Sequence, residues 1–351
     1  MKILIIQQKM IGDVLTSSIL FEALKNKYPN SELHFLINSH TFPVVENNPF
    51  IDEYVFFTPE IEKSKSQLLN FVKSIRKNKY DVVIDVYSKL SSNLISLFSK
   101  AKTKISYQKK FRTFIYNHNI KREKHNNNTT GLEITNRLSL LKPLEIDTQS
   151  IKPKIYLTEI EIEAAKQLLK KKNIDVSKSL FMISVLGSTE NKTYPLPYMA
   201  KIIDKIVKET NGQILFNYIP SQYTEAKTVY NFCETETKKH IYFDVFGKSL
   251  REFLAITKNC TALIGNEGGA INMAKALDIP TFSIFSPWIN KEGWNMFEDA
   301  KNNVSVHLKD IKPELYKNEI LRKTKNRVHL FYEEFLPIYI TPMLESYLKN
   351  L

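Results

Sequence analysis

The chain has 351 residues, 43% hydrophobic and 25% charged, a globular composition that excludes a disordered or collagen-like protein and is long enough for two domains with their own cores. Its net charge is +13, from 50 Lys and Arg against 37 Asp and Glu. Such a field favours an anionic partner (nucleic acid, an anionic membrane face or a phosphorylated substrate) without choosing among them, and many of the lysines serve only solubility. Two cysteines, Cys233 and Cys260, are too few for a disulfide framework or a zinc site and read as buried thiols. The opening MKILIIQQK is too short for a signal peptide or a spanning helix, and no later window is long enough. The expectation is a cytoplasmic protein whose membrane contact is at most peripheral.

Short apolar runs at residues 2–6, 33–37, 54–57 and 82–86 read as buried strands, and amphipathic stretches at 14–28, 64–77 and 88–98 lie among them as helices. This rhythm implies a parallel sheet wrapped by helices. It breaks across residues 108–131, a basic, aromatic and Asn-rich stretch that reads as an irregular excursion, before a helix at 132–141 and linker chemistry from Lys142-Pro143 to Lys152-Pro153. A second series then predicts strands at 181–186, 213–218, 240–244, 262–264 and 281–285, with helices at 159–172, 197–209, 223–234, 250–257 and 270–277. Ser249-Leu250-Arg251-Glu252 has the spacing of a capping box. A tail over 328–351 is amphipathic, and Pro337 and Pro342 should kink or break it. The domains are therefore drawn at residues 1–150 and 151–327, followed by the tail, in an α/β fold class. In such folds ligands sit at the carboxyl ends of the strands.

Three post-strand loops hold the chemistry. The first, Gln7–Asp13, ends in Gly12-Asp13 at a helix start; Asp13 is either an N-cap or a general base that takes the proton of a poorly nucleophilic hydroxyl. The second runs from Gly187 to Pro195, where Ser188, Thr189 and Lys192 suit a diphosphate beside a helix start, or make an ordinary polar surface loop. In the third, Gly268 and Gly269 precede a helix containing Asn272; their N–H groups suit an anion, or the glycines serve the turn alone. The chain lacks the G-x-G-x-x-G of a nicotinamide oxidoreductase and the G-x-x-x-x-G-K-[ST] of a P-loop. No helix-turn-helix, zinc-finger or RNP pattern supports nucleic-acid binding, and neither H-x-x-x-H nor a D-x-D sugar-nucleotide motif supports a bound metal.

At these loops the chain resembles glycosyltransferase family 9, the lipopolysaccharide heptosyltransferases. The likeness rests on Gly12-Asp13-Val14-Leu15, on Tyr28-Pro29, on Tyr80-Asp81-Val82-Val83-Ile84-Asp85, on Gly187 followed by Lys192-Thr193-Tyr194-Pro195, and on Ser249-Leu250-Arg251-Glu252. The resemblance implies a GT-B architecture of two Rossmann-like domains across a cleft, with the tail packing back on the first domain. It implies an inverting glycosyltransferase with no cofactor and no metal. Its donor would be a nucleotide-diphosphate sugar, ADP-heptose or another, and its acceptor the lipopolysaccharide core or another anionic cell-surface glycolipid. The alternative is a non-catalytic nucleotide-sugar-binding relative of the same fold. Asp13 becomes the catalytic base, and Ser188, Thr189, Lys192, Asn266, Glu267, Gly268, Gly269 and Asn272 the donor-binding set. Lys109, Lys110, Arg112, Lys121 and Arg122 in the basic excursion are the candidate acceptor-binding residues. The chain departs from the family where Asn-Asp-[Ser/Thr]-Gly-x-x-His becomes Asn266-Glu267-Gly268-Gly269-Ala270-Ile271-Asn272, and where Tyr194 stands for Trp; donor sugar and base stay open.

Overall fold

A computed structural model describes residues 1–125, 130–148, 150–317 and 319–351. Residues 126–129 of the basic excursion and residue 149 of the linker stretch lie outside the described residues. The chain divides into two compact units, Met1–Tyr156 and Leu157–Leu351.

The first unit is built on a six-stranded sheet: β1 (Lys2–Ile6), β2 (Glu32–Ile37), β3 (Glu53–Phe56), β4 (Val82–Asp85), β5 (Thr103–Tyr107) and β6 (His118–Ile120). The order is β3-β2-β1-β4-β5-β6 and every pair is parallel. Helices cover both faces of such a sheet, so its central strands read as unbroken apolar runs; Ile3–Ile6 and Val82–Asp85 are buried residue by residue. The excursion hides β6, a three-residue polar edge strand too short to show a period. The expected helix over 14–28 is two helices, Ile11–Ser17 and Ile19–Lys27. Thr16, Ser17 and Ser18 donate their hydroxyls to the carbonyls of Gly12, Asp13 and Leu15, a competition with the helix ladder that bends it.

The second unit holds β7 (Leu180–Ser184), β8 (Gln213–Asn217), β9 (Ala262–Asn266), β10 (Thr281–Ile284) and β11 (Asn303–Val306), in the order β11-β10-β9-β7-β8, again all parallel. The strand expected at 240–244 is reduced to a single bridge between Ile241 and Ile214. Its apolar character serves ring packing instead, Phe243 lying 5.2–5.8 Å from the rings of Phe216, Tyr218, Tyr223 and Tyr230. Ser249 does cap helix Leu250–Lys258, accepting from Glu252 N at 3.1 Å, while Glu252 reaches back to Lys248 N rather than to Ser249 N.

The tail forms helices Val328–Glu333 and Pro337–Leu348. Pro337 opens the second, where a missing N–H costs nothing, whereas Pro342 sits inside it without ending it. The resemblance places this tail on the first domain; in the structure Phe331, Phe335, Ile340, Leu344 and Tyr347 are buried in the core of the second unit. The hydroxyl of Tyr194 donates to Phe335 O at 2.7 Å, and the rings of Phe282 and Tyr347 are 5.4 Å apart. Among the described residues no helix is long and apolar enough to cross a membrane.

Candidate active site

In each sheet the strand order reverses once, between β1 and β4 and between β7 and β9. The loops leaving those strands diverge there and open a crevice at the carboxyl end. All three loops singled out in the sequence leave such strands, after β1, β7 and β9.

Asp13 is the third residue of helix Ile11–Ser17, whose N-cap is Met10 with no side-chain capping bond. The carboxylate therefore does not cap. It turns to Arg137, carried by helix Leu132–Ser139, whose Nη2 lies 2.6 Å from Asp13 Oδ1. Arg137 Nη1 donates to Glu133 Oε2 at 2.7 Å and Nε to Ser17 Oγ at 3.1 Å. A guanidinium with its nitrogens so engaged has one orientation, and Arg137 is 2% exposed against 27% for Asp13. Burial pushes the Asp13 carboxyl above the ordinary carboxylate range, and Arg137 opposes that shift without cancelling it. A carboxylate with a raised pKa that is still reachable from solvent is suited to accept a proton. Sequence reasoning missed Arg137 and Glu133. The available signal was a charge among Leu132, Ile134, Leu138 and Leu141, since a cation on an apolar stripe requires a partner.

At the end of β4, Asp85 is fully buried. Its Oδ1 accepts from Ser88 N at 2.7 Å, and its Oδ2 lies 2.6 Å from the hydroxyl of Tyr116, which is 2.8 Å from Asn93 Oδ1. One hydroxyl proton cannot serve both oxygens. Burial holds the Asp85 carboxyl above its usual range, and a protonated Asp85 donating to Tyr116 satisfies the whole set. Ser88 O in turn accepts from Lys109 Nζ at 2.7 Å and Arg112 Nη1 at 3.0 Å. Arg122 lies 4.0 Å from the Tyr107 ring centre and donates to Glu133 Oε1 at 3.2 Å, which ties it to the Asp13–Arg137 network. Of the five basic residues expected to face an acceptor, Lys109, Arg112 and Arg122 are thus gathered beyond β4 and β5. Lys110 and Lys121 are exposed, with Lys110 over the Phe111 ring.

In the second unit, a Cβ on Gly187 would lie 2.4 Å from Lys192 O, so only glycine lets this loop close. Ser188 and Thr189 are exposed, and Thr189 donates to Asn191 Oδ1 at 2.8 Å. Asn191 O accepts from both Trp288 Nε1, at 2.9 Å, and Ser286 Oγ, at 2.7 Å, which fixes the loop to the end of β10. Lys192 Nζ lies 5.9 Å from the Trp288 ring centre, with Lys325 Nζ 5.0 Å from the same ring. Trp288 was not singled out in the sequence, although it follows a strand directly and is one of two tryptophans.

Asn266 is placed differently from expectation. It is 1% exposed, its Oδ1 accepts from Tyr194 N at 2.7 Å and its Nδ2 donates to Ser184 O at 2.9 Å. It joins β7, β9 and the 187–195 loop as a strut rather than offering itself to a ligand. Glu267 is 9% exposed, and its Oε2 is buried with no hydrogen-bond partner among the described residues. Burial raises its pKa; Lys192 and Lys275 pull the other way. Helix Gly269–Ala276 starts beside it. A Cβ on Gly268 would meet nothing within 4 Å, and one on Gly269 only Met273 Cε at 3.9 Å, so the turn fronts open space. Asn272, half-buried on the first helical turn, donates its N–H to Gly268 O at 3.3 Å. A cavity of about 1190 Å³ lies against the 187–198 loop, bounded also by Gln222, Glu225, Lys325, His329 and Tyr332; the Gly268-Gly269 turn is not part of its wall. Among the described residues the one grouping with metal-ligand spacing is Glu32, His34 and Glu53. It lies towards the amino ends of β2 and β3, and Lys2 already sits 3.0 Å from Glu32.

Two all-parallel sheets, each with its polar loops at the strand-order reversal, are the architecture of a GT-B glycosyltransferase. The chain superposes on the structure of E. coli ADP-heptose lps heptosyltransferase II with a TM-score of 0.72 at 14% identity, covering 99% of this chain and 98% of that one. It matches E. coli heptosyltransferase WaaC with ADP at 0.66 and 15%, covering 95% and 99%. Residues 68–324 match glycosyltransferase family 9 (heptosyltransferase), and the chain belongs to that family. A lipopolysaccharide heptosyltransferase 1 from Campylobacter coli is 26% identical over 292 residues, 81% of this chain and 84% of that protein.

Proposed function

We propose that this glycosyltransferase moves a heptose or related sugar from a nucleotide-diphosphate donor to the lipopolysaccharide core or another cell-surface glycolipid, with inversion at the anomeric carbon and no metal ion. The names of its relatives support the acceptor class, and the ADP held by a protein of the same fold supports the donor class. The observation that carries the chemistry is the Asp13 carboxylate, reachable from solvent, raised in pKa by burial and oriented by Arg137.

Asp13 removes the proton from the acceptor hydroxyl as it attacks the anomeric carbon. The glycosidic bond to the donor phosphate breaks on the opposite face, and the sugar is inverted. Negative charge then grows on the leaving diphosphate. Lys192 and the N–H groups at Gly268-Gly269 face that charge, and fixed donors aimed at developing charge are commonly a dominant catalytic term. Ser188 and Thr189 add hydroxyl donors, and Glu267 and Asn272 line the same turn. Lys109, Arg112 and Arg122 face acidic groups of the acceptor, which is met at the cytoplasmic face of the inner membrane.

Asp13→Asn is expected to lower kcat by about 10²–10⁴-fold while ADP affinity, read by calorimetry, stays at the wild-type value. Transfer at the wild-type rate by that variant overturns the role of Asp13. Chelator treatment should leave the wild-type rate unchanged.

A further inference from the structure

The basic excursion carries a feature that sugar transfer does not use. Phe111 is 82% exposed and Phe114 78%, and Leu90 across from them is 71% exposed. Large apolar side chains this exposed, and grouped, mark a docking surface in a soluble fold. Their grouping is built in. Lys109 and Arg112 both donate to Ser88 O, which pins the 109–112 turn over the start of helix Leu90–Phe98. Phe111 has φ +67°, an unfavourable backbone state for a bulky residue. The pinned turn holds its ring outward rather than letting it fold into the core.

The surrounding charge is predominantly positive. Between Tyr107 and Arg122 there is no acidic residue, while Lys109, Lys110, Arg112, Lys121 and Arg122 are all cationic, and Lys89 precedes Leu90. Of the carboxylates beneath, Asp85 is fully buried and Glu133 is engaged by Arg122 and Arg137.

We propose that this surface docks the first unit on a bilayer bearing anionic headgroups. The rings of Phe111 and Phe114 and the Leu90 side chain enter the acyl boundary, and the exposed Lys89, Lys110 and Lys121 lie among the headgroup phosphates, leaving Lys109, Arg112 and Arg122 to the acceptor. Charge complementarity selects this occupant: apolar groups in a cationic ring match the anionic interface of a membrane. A soluble phosphorylated ligand would use the cations and leave the rings idle. The surface leaves the same end of the sheet as Asp13, so docking presents that end to a lipid-borne acceptor.

The test uses the full chain with neither donor nor acceptor present, so its outcome is independent of the proposed reaction. Sedimentation with vesicles of phosphatidylglycerol and phosphatidylcholine should pellet the protein, and vesicles of phosphatidylcholine alone should not. The double variant Phe111→Ser, Phe114→Ser is expected to reduce the partition coefficient roughly tenfold or more, and Lys110→Glu by about fivefold or more. The serine variant should keep its melting temperature and its rate on a lipid-free acceptor fragment. In a second measurement, the emission of Phe111→Trp should move to the blue on adding anionic vesicles. The inference is overturned by an absence of binding to anionic vesicles, by serine variants that bind as the wild type does, or by a Phe111→Trp emission that does not move.

Discussion

Asp13 and Asp85 leave neighbouring strands, and burial treats their carboxyls alike while their partners do not. Asp13 faces a cation; Asp85 faces a hydroxyl and an amide. Arg137 stabilises the ionised form of Asp13, so its removal must raise the pKa further. In Arg137→Met the acid limb of the kcat/KM profile is expected to move up by about one pH unit or more, and Arg137→Lys should restore part of the shift. An unmoved limb means that Asp13 is not the group titrating there. For Asp85 the sign of the pH dependence follows from the raised folded pKa. Such a group contributes stability that is fully present below its unfolded value, near 4, and is lost as pH rises through its folded value. Asp85→Asn supplies an Nδ2 donor for Tyr116 and keeps an Oδ1 acceptor for Ser88 N. Urea titrations should therefore find it at least as stable as the wild type at neutral pH, with a shallower fall in stability as pH rises above the ordinary carboxylate range. A loss of about 2 kcal/mol or more in the Asn variant would contradict a neutral Asp85.

At the level of elements, the glycines of the β9 loop divide into two kinds. Gly265 has φ +131°, and a Cβ there would lie 2.5 Å from Ser184 O. Gly265→Ala is expected to cost roughly 2–3 kcal/mol or more in a denaturation series. Gly268 has an extended backbone, φ 162°, and open space before it. Gly268→Ala should stay within about 0.5 kcal/mol of the wild type and yet raise the donor KM, because its methyl enters the space that the diphosphate is proposed to fill. A Gly268→Ala variant with unchanged donor KM would remove this turn from the donor site. The longer helices, Lys65–Lys77, Glu159–Lys171 and Leu196–Thr210, were readable in the chain because their apolar stripes repeat over three or more turns. The missed strands are polar or short: β5 and β11 carry polar residues between their apolar ones and β6 has three residues, while the apolar run at 240–244 packs rings instead of joining a ladder.

For the whole molecule, the charge of +13 and the donor site proposed in the second unit suggest one binding experiment. Thermal unfolding against ADP, GDP, UDP, dTDP and CMP should single out ADP, which at about 100 times its Kd adds roughly 2.7 kcal/mol to the unit that binds it; Lys192→Ala should lose most of that gain. Stabilisation by a different diphosphate would keep the reaction and change the donor. The alternation of strands and helices and the loops that carry Asp13, Lys192 and Gly268 were legible in the sequence alone, because parallel sheets impose long apolar runs and their loops collect glycine and polar residues. Only the tertiary structure decided what those residues touch. It turned Asp13 from a possible cap to a partner of Arg137, 124 positions away. It turned Asn266 from a ligand candidate into a strut, brought Trp288 against the Lys192 loop, and placed the tail's rings in the second core. A sequence pattern reports which face of an element is buried; the partner across that face comes from a distant segment, and no local period encodes it.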